Sequence, residues 1–202
     1  MALWLAEEPL VLASRSRIRQ TLLEAAGIPV DIRPADLDER GLEADAAADA
    51  PGAVAALLAR EKAVLVGKLN PDRLTLGADQ VLALGNERFA KPADRTTARA
   101  QLCALRGRTH ELHSAVAFVQ NNKVLFEHVG VARLTMRDFT EQCLDDYLDA
   151  VGDAATLSVG GYQLEGLGIQ LFERLDGDYF TVLGLPLLDA LGFLRRQGCL
   201  AS

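Results

Sequence analysis

The stretch from Leu74 to Pro92 constrains the fold most strongly, because acidic and polar residues interrupt an apolar run within it. The run before Gly85 is too short for a typical helix, and its Leu, Ala and Val residues predict a buried strand. Asp79 and Gln80 stand at its centre. Burying an ionised Asp is costly unless a cation or metal compensates, so Asp79 should lie at an opening in the core or against a positive group. Because such compensation is imperfect, we expect Asp79→Asn to keep or raise thermal stability.

The segment after this strand predicts how a positive group could reach Asp79. Gly85-Asn86 is a two-residue hairpin signal, so the chain should fold back and bring Lys91-Pro92 near the level of Asp79. Lys91 is therefore a candidate partner for the carboxylate. The alternative is that Asp79 caps a loop at the end of a strand, and the sequence leaves both interpretations open.

Composition narrows the class of protein. The 202 residues, 50% of them hydrophobic, can form one globular domain, which we expect to span residues 1–202. The net charge of -7 argues against nucleic acid or an anionic membrane as the main partner. Three widely spaced cysteines predict neither disulfides nor a zinc site, and the acidic N-terminus predicts no signal peptide. With no apolar run of membrane-spanning length, these features predict a cytoplasmic protein.

The N-terminal segment predicts an anion site. A short apolar strand at residues 10–13 leads into a loop and then a helical pattern ending near Gly27, with Ser14 or Ser16 available to cap the helix. Three arginines cluster at the helix start, where the dipole favours anions and like charges repel: Arg15, Arg17 and Arg19. A phosphate would relieve that repulsion, whereas the alternative is that the arginines extend into water.

The remaining elements alternate between strands and helices. Residues 30–38 predict a second strand that runs into an acidic cluster at Glu39. Asp49 and Pro51 open an apolar, Ala-rich helix to about Leu69, whose charged pair Glu61-Lys62 reaches either an edge or a cleft. Residues 110–136 predict a long hairpin.

Standard motifs do not identify the function. The chain has no GxxxxGK[ST] phosphate loop and no GxGxxG fingerprint. Its three histidines show no ligand or triad spacing and are interpreted as structural: His110, His113 and His128.

Several fragments, taken in order, resemble one family. They are Leu-Ala-Ser-Arg-Ser-Arg-Ile-Arg, Arg-Glu-Lys-Ala, Gly-Ala-Asp-Gln-Val, Lys-Pro, Leu-Arg-Gly-Arg-Thr-His and Gly-Asp-Tyr-Phe-Thr-Val-Leu-Gly-Leu-Pro. Each is weak alone, but the set covers nearly the whole chain and resembles the Maf nucleoside triphosphate pyrophosphatases. The loop departs from the family's Ser-x-Ser-Pro-Arg-Arg, because Arg17 and Ile18 replace the proline and the first arginine.

This resemblance implies an α/β fold with a long, strongly twisted mixed sheet flanked by helices, in two lobes around a central cleft, as in Maf and ITPase-like proteins. It also implies metal-dependent hydrolysis of a nucleoside triphosphate to the monophosphate and pyrophosphate, with Mg²⁺ as the metal and Mn²⁺ as an alternative. Carried over residue by residue, it assigns catalytic roles to Asp79, Lys62 and Lys91, metal binding to Glu39 and Asp79, and substrate binding to Ser14 and Arg19. Whether Asp79 is a general base or mainly a metal ligand stays open.

Two further positions bear on the choice of base. Gln80, and Glu165 in the Gly-rich segment 160–168, resemble the branch of the family that acts on 7-methyl-GTP, so both are expected to bind substrate. The alternatives are a dTTP/UTP pyrophosphatase of the same family, or a non-catalytic nucleotide-binding regulator related to septum formation and cell division. A homodimer is also left open.

Overall fold

The computed structural model describes residues 3–46 and 50–201. The predicted start of the Ala-rich helix at Asp49 lies outside these residues. The strands are β1 (Leu10–Leu12), β2 (Val30–Ile32), β3 (Thr75–Leu84), β4 (Glu87–Phe89), β5 (Thr109–Gln120), β6 (Lys123–Met136) and β7 (Phe172–Asp176). The helices are α1 (Arg17–Ala25), α2 (Glu39–Asp45), α3 (Pro51–Lys68), α4 (Arg95–Leu105), α5 (Glu141–Val151), α6 (Tyr179–Val182) and α7 (Leu187–Arg196), and short 3₁₀ turns lie between residues 152 and 171.

These strands form one mixed sheet in the described part of the chain. Its order is β2-β1-β3-β5-β6-β7, with β4 paired to β3 outside this path. β1 runs parallel to β2 and β3, whereas β3, β5, β6 and β7 pair antiparallel. The predicted mixed α/β sheet flanked by helices is therefore confirmed. None of the described helices is both long and apolar enough to cross a bilayer.

The two predicted hairpins are both present. Leu84 pairs with Glu87 across the Gly85-Asn86 turn, and β5 joins β6 through Asn121 and Asn122, whose φ angles are 52° and 58°. Asn tolerates this left-handed region because its short polar side chain can bond locally. The predicted second strand is shorter than expected and ends at Ile32, since Pro34 has no backbone N–H to continue a strand. Asp38, at the predicted end of that strand, instead accepts a hydrogen bond from Gly41 N and caps α2 at Glu39.

One edge of β3 is interrupted. β5 pairs along nearly the full length of β3, so β1 and β4 must share the other edge. β1 pairs there only as far as Leu76, and β4 pairs only from Leu82 onwards. The intervening residues 77–81 therefore form a gap in the sheet edge, with Asp79 at its centre.

The two faces of β3 carry different packing. Helix α3 covers the face of Gly77 and Val81, and a Cβ on Gly77 would lie 2.1 Å from Ala59 O. On the other face, Leu76 and Ala78 join a hydrophobic cluster built on α1 and α7, whereas Leu82 and Leu84 join a second cluster built on α4 and α5. Gln80 lies between these two clusters.

Candidate active site

The central carboxylate of the gap is paired with a lysine from the covering helix. Lys62 Nζ lies 2.5 Å from Asp79 Oδ1, and each residue is only 8% exposed. Close packing of α3 against Gly77 brings Lys62 within reach of Asp79. The undecided position of Lys62 is thereby resolved: it points into the gap rather than to an outer edge of α3.

A second carboxylate shares this ammonium. Glu39 begins α2, and its Oε2 lies 3.0 Å from Lys62 Nζ. Asp79 Oδ2 and Glu39 Oε1 make no hydrogen bond within the described residues, and neither is a buried unsatisfied atom there. Two carboxylates therefore converge on one cation, and each keeps an oxygen open.

Lys91 does not pair with Asp79 as expected. The hairpin forms, but β4 ends at Phe89, and Lys91 follows it as an exposed residue with no ion pair to any part of the chain that the structure describes. β4 folds back along β3 as predicted, with Phe89 opposite Leu82. The strand ends at Phe89, however, two residues before Lys91. The cation that compensates Asp79 is Lys62. A role for Lys91 toward a substrate stays a prediction.

Arg19 is buried in the gap rather than splayed into water. Its Nη1 donates to Ala78 O at 2.8 Å and to Ser14 Oγ at 3.1 Å, and its Nε donates to Gly184 O at 2.8 Å. The Ala78 carbonyl has no strand partner in the gap, and a buried carbonyl requires a donor. Arg19 therefore replaces a missing strand, while Arg15 and Arg17 are exposed.

The electrostatics of Arg19 reflect its position. Burial lowers the pKa of its guanidinium, and the charges of Asp79 and Glu39 oppose that shift. Nη2 has no acceptor among the described residues and is not a buried unsatisfied atom. The Nη2 edge of the guanidinium thus stays open to a ligand. Ser14 Oγ also accepts from Ser16 N, so Ser14 orients Arg19, and neither serine side chain caps α1.

Gln80 and Ser114 are cross-strand partners between the two hydrophobic clusters. Gln80 Nε2 donates to Ser114 Oγ at 2.9 Å, to Val182 O at 3.0 Å and to Thr181 O at 3.2 Å. Ser114 Oγ in turn donates to Thr181 O at 2.7 Å. These bonds join the sheet to the C-terminal end of α6.

Glu165 is exposed on a turn between two 3₁₀ segments. The loop that carries it packs on the sheet, since a Cβ on Gly160 would lie 2.7 Å from the Leu82 side chain. Burial raises the pKa of Tyr147 to about 12, and the negative charge of Glu165 contributes to this shift. Glu165 thus belongs to the α4/α5 end of the sheet, on the other side of Gln80 from α1.

Two residues near the gap were not predicted from the sequence. Burial raises the pKa of Glu43, one turn after Glu39 on α2, and the charges of Asp79 and Glu39 raise it further. Arg88 on β4 donates to Ala46 O and to Glu43 O, so it fastens α2 to the sheet. The spacing of Glu39 and Glu43 on one helix face was the available sign.

The carboxylate oxygens of this site suit a hard cation whose other ligands are water and phosphate oxygens. Within residues 3–46 and 50–201, no three His, Cys, Asp or Glu side chains form a metal-binding group. Mg²⁺ is usually held in nucleotide enzymes by one or two carboxylates, with the other positions filled by phosphate oxygens and water. The open oxygens of Glu39 and Asp79 fit that pattern.

Comparison with known proteins gives a consistent result. Residues 9–197 match the family model described as Maf-like protein. The chain is 60% identical over 201 residues, 100% of both sequences, to a nucleoside triphosphate pyrophosphatase of Rhodopseudomonas palustris. It is 49% identical over 193 residues to a 7-methyl-GTP pyrophosphatase of Brucella abortus, covering 95% of this chain and 97% of the relative. A solved nucleoside-triphosphatase / dITP/XTP pyrophosphatase from Mycobacterium abscessus overlaps 95% of both chains at 13% identity, and its TM-score of 0.41 supports no inference.

Proposed function

Because this chain belongs to the Maf-like protein family, we propose that it is an enzyme that hydrolyses a nucleoside triphosphate to the monophosphate and pyrophosphate. The observation that carries the proposal is the gap in β3, where Lys62 lies between the carboxylates of Asp79 and Glu39. Cleavage between the α- and β-phosphates requires neutralisation of charge on the leaving pyrophosphate and a positioned carboxylate. In this proposal, Lys62 and Arg19 supply positive charge, and Asp79 or Glu39 supplies the carboxylate.

Each residue has a distinct proposed task. Arg19 Nη2 and the exposed ammonium of Lys91 bind phosphate oxygens, and Ser14 keeps the guanidinium oriented. Lys62 holds Asp79 and Glu39 in place and offers charge to the phosphates. Asp79 orients the attacking water or accepts its proton, or it is mainly a metal ligand. Mg²⁺, or Mn²⁺ as the alternative, when bound by Glu39 and Asp79, would polarise a phosphoryl oxygen.

The proposed substrate is a guanine nucleoside triphosphate, and 7-methyl-GTP in particular. Glu165 is an exposed carboxylate and accepts hydrogen bonds, which suits the N1–H and 2-amino edge of guanine. A methylated, positively charged ring suits it better. The name of the Brucella abortus relative favours the same branch. Pyrimidine triphosphates have fewer donors and should react more slowly, by about 10- to 100-fold in kcat/KM.

The test is pyrophosphate release with Mg²⁺ from 7-methyl-GTP, GTP, dTTP and UTP. We expect the highest kcat/KM for 7-methyl-GTP or GTP. Glu165→Gln should reduce the difference in kcat/KM between these guanine nucleotides and the pyrimidine nucleotides. Glu173→Gln, which changes another exposed carboxylate on β7, is the matched control and should leave the ratio unchanged. A preference for dTTP and UTP would reject the proposed guanine substrate but would leave the proposed pyrophosphatase reaction unaffected. Binding of nucleotide without any pyrophosphate release would favour the regulatory alternative.

A further inference from the structure

We propose that Ser114 is a positioning residue that controls base selectivity by fixing the orientation of the Gln80 side-chain amide. The proposal rests on the proposed function, since it concerns the base of the nucleotide proposed to bind at the gap in β3, and Gln80 follows Asp79 directly on that strand. Ser114 is fully buried on β5 and so makes no direct contact with solvent. Its effect on a ligand must therefore pass through its partners, Gln80 and Thr181.

In the hydrogen bonds around Ser114, donor and acceptor can be assigned in only one way. Thr181 O and Val182 O are backbone carbonyls and can only accept, so the Gln80 atom facing them must be the amide nitrogen. The Ser114 hydroxyl has one proton, which it donates to Thr181 O. Its oxygen then accepts from Gln80 Nε2 at 2.9 Å. The two amide hydrogens of Gln80 are thus shared among three fixed acceptors.

This arrangement determines what Gln80 presents to a ligand. Gln80 is partly exposed, and its Oε1 makes no hydrogen bond within the residues described. Oε1 is also absent from the buried unsatisfied atoms, so it is open to solvent. Position 80 therefore presents an acceptor and no donor. A base with N–H groups on the facing edge, such as guanine, is favoured over one that presents mainly carbonyl oxygens.

The same bonds are made where α6 ends. Thr181 O accepts from Gly184 N in the turn that ends α6, and Gln80 and Ser114 add side-chain donors there, both to Thr181 O and Gln80 also to Val182 O. Removal of the Ser114 hydroxyl leaves Thr181 O with one donor fewer and takes from the Gln80 amide the shortest of its three hydrogen bonds, while the bonds to Thr181 O and Val182 O remain. The acceptor at position 80 is then held less firmly in its orientation.

The experiment measures binding rather than turnover, so its outcome is independent of catalysis. The Kd values of the α,β-methylene analogues of GTP and UTP, which resist cleavage, are determined by calorimetry for the wild type, Ser114→Ala, Gln80→Met and the double variant. We expect Ser114→Ala to reduce the preference for the GTP analogue by up to about tenfold, the size of one net hydrogen bond. In the Gln80→Met background, Ser114→Ala should change the preference no further, because the group it orients is gone.

A matched control separates this role from simple stability. Thr75 is also fully buried in the sheet, its Oγ1 has no partner among the described residues, and it lies five residues from Gln80 on β3. Thr75→Val should leave the Kd ratio unchanged. If Ser114→Ala fails to fold, Ser114→Cys replaces it, because the thiol keeps the volume but is a weak donor and acceptor.

Two results would overturn the inference. One is a loss of affinity by the same factor for both analogues in Ser114→Ala, and the other is a change in preference that persists in the Gln80→Met background. Failure of the wild type to release pyrophosphate from any triphosphate would instead reject the proposed reaction, and the Kd ratios would still decide the role of Ser114.

Discussion

Lys62 Nζ lies 2.5 Å from Asp79 Oδ1, although the two residues are 17 positions apart and belong to a helix and a strand. Both residues are only 8% exposed, so bulk water solvates each charge only in small part. Removing one partner of such a pair leaves the other charge incompletely compensated. Predictions about the gap therefore concern stability as well as activity.

Asp79→Asn should lower pyrophosphate release by at least about 100-fold, because the carboxylate that orients water or metal is lost. The free energy of unfolding should fall by about 1–3 kcal/mol, since Lys62 keeps only Glu39 as a partner. This reverses the sequence-based expectation of unchanged or raised stability, which did not include Lys62. Urea denaturation and a pyrophosphate assay measure both effects, with Asp72→Asn, an exposed loop residue, as the control. Full activity per folded molecule would make Asp79 purely structural.

Lys62→Met and Lys91→Met should separate structural from substrate-binding charge. Lys62→Met should reduce both the unfolding free energy and kcat/KM, because two carboxylates are left facing each other. Lys91→Met should reduce kcat/KM while changing stability by less than about 0.5 kcal/mol, since Lys91 is exposed and has no ion pair in the described residues. Lys68→Met, at the exposed end of α3, is the control. Unchanged kinetics in Lys91→Met would remove Lys91 from the site.

Arg19→Ala should destabilise the fold by about 2–4 kcal/mol, in addition to raising KM for the triphosphate or lowering kcat. The three acceptors at Ser14, Ala78 and Gly184 lose their donor, and two of them are backbone carbonyls. Thermal unfolding of Arg19→Ala beside the exposed Arg17→Ala checks this. Equal stability of the two variants would contradict the bonding described for Arg19.

Gly77→Ala should prevent α3 from seating on β3. A Cβ at this position would lie 2.1 Å from Ala59 O and 2.7 Å from Ala63 N, so the helix must move away from the sheet. We expect a loss of more than about 3 kcal/mol or insoluble protein. Gly192→Ala, in the middle of α7 with its nearest neighbour at 3.5 Å, should be neutral or stabilising by about 0.5–1 kcal/mol. Circular dichroism melts of the two variants give the comparison.

His110 should make stability depend on pH. Burial lowers its pKa from 6.5 to about 4, and its Nε2 pairs with Tyr162 OH at 2.8 Å. Between these values the unfolded chain binds a proton that the folded chain does not, so stability falls as pH drops from about 6.5 to about 4. The slope contribution approaches about 1.4 kcal/mol per pH unit.

Urea titrations at pH 7 and pH 5 measure this contribution. His110→Gln, which keeps a polar group near Tyr162, should show a smaller loss between the two pH values than the wild type. His128→Gln changes a partly exposed histidine that pairs with Asp189 and is the control. An identical pH dependence in His110→Gln and the wild type would contradict the assignment to His110.

Local sequence patterns were enough for the elements around the site. The apolar run of β3, the Gly85-Asn86 turn and the helical pattern from Pro51 reflect preferences of neighbouring residues, and the structure has all of them. Asp79 stood out because its charge conflicts with its apolar neighbours. The short extent of β2 was missed because Pro34, which has no backbone N–H, was not counted against a strand continuing past Ile32.

The sequence by itself therefore determined strand β3, the long helix α3, both hairpin turns and the presence of an unusual carboxylate at the centre of a buried strand. Only the tertiary structure decided which groups meet that carboxylate. Lys62 reaches it because Gly77 lets α3 approach β3, and Arg19 is buried because the interrupted edge leaves Ala78 O without a strand partner. Ion pairs and buried hydrogen bonds depend on distances between elements far apart in the chain, and those distances are set by packing rather than by local pattern.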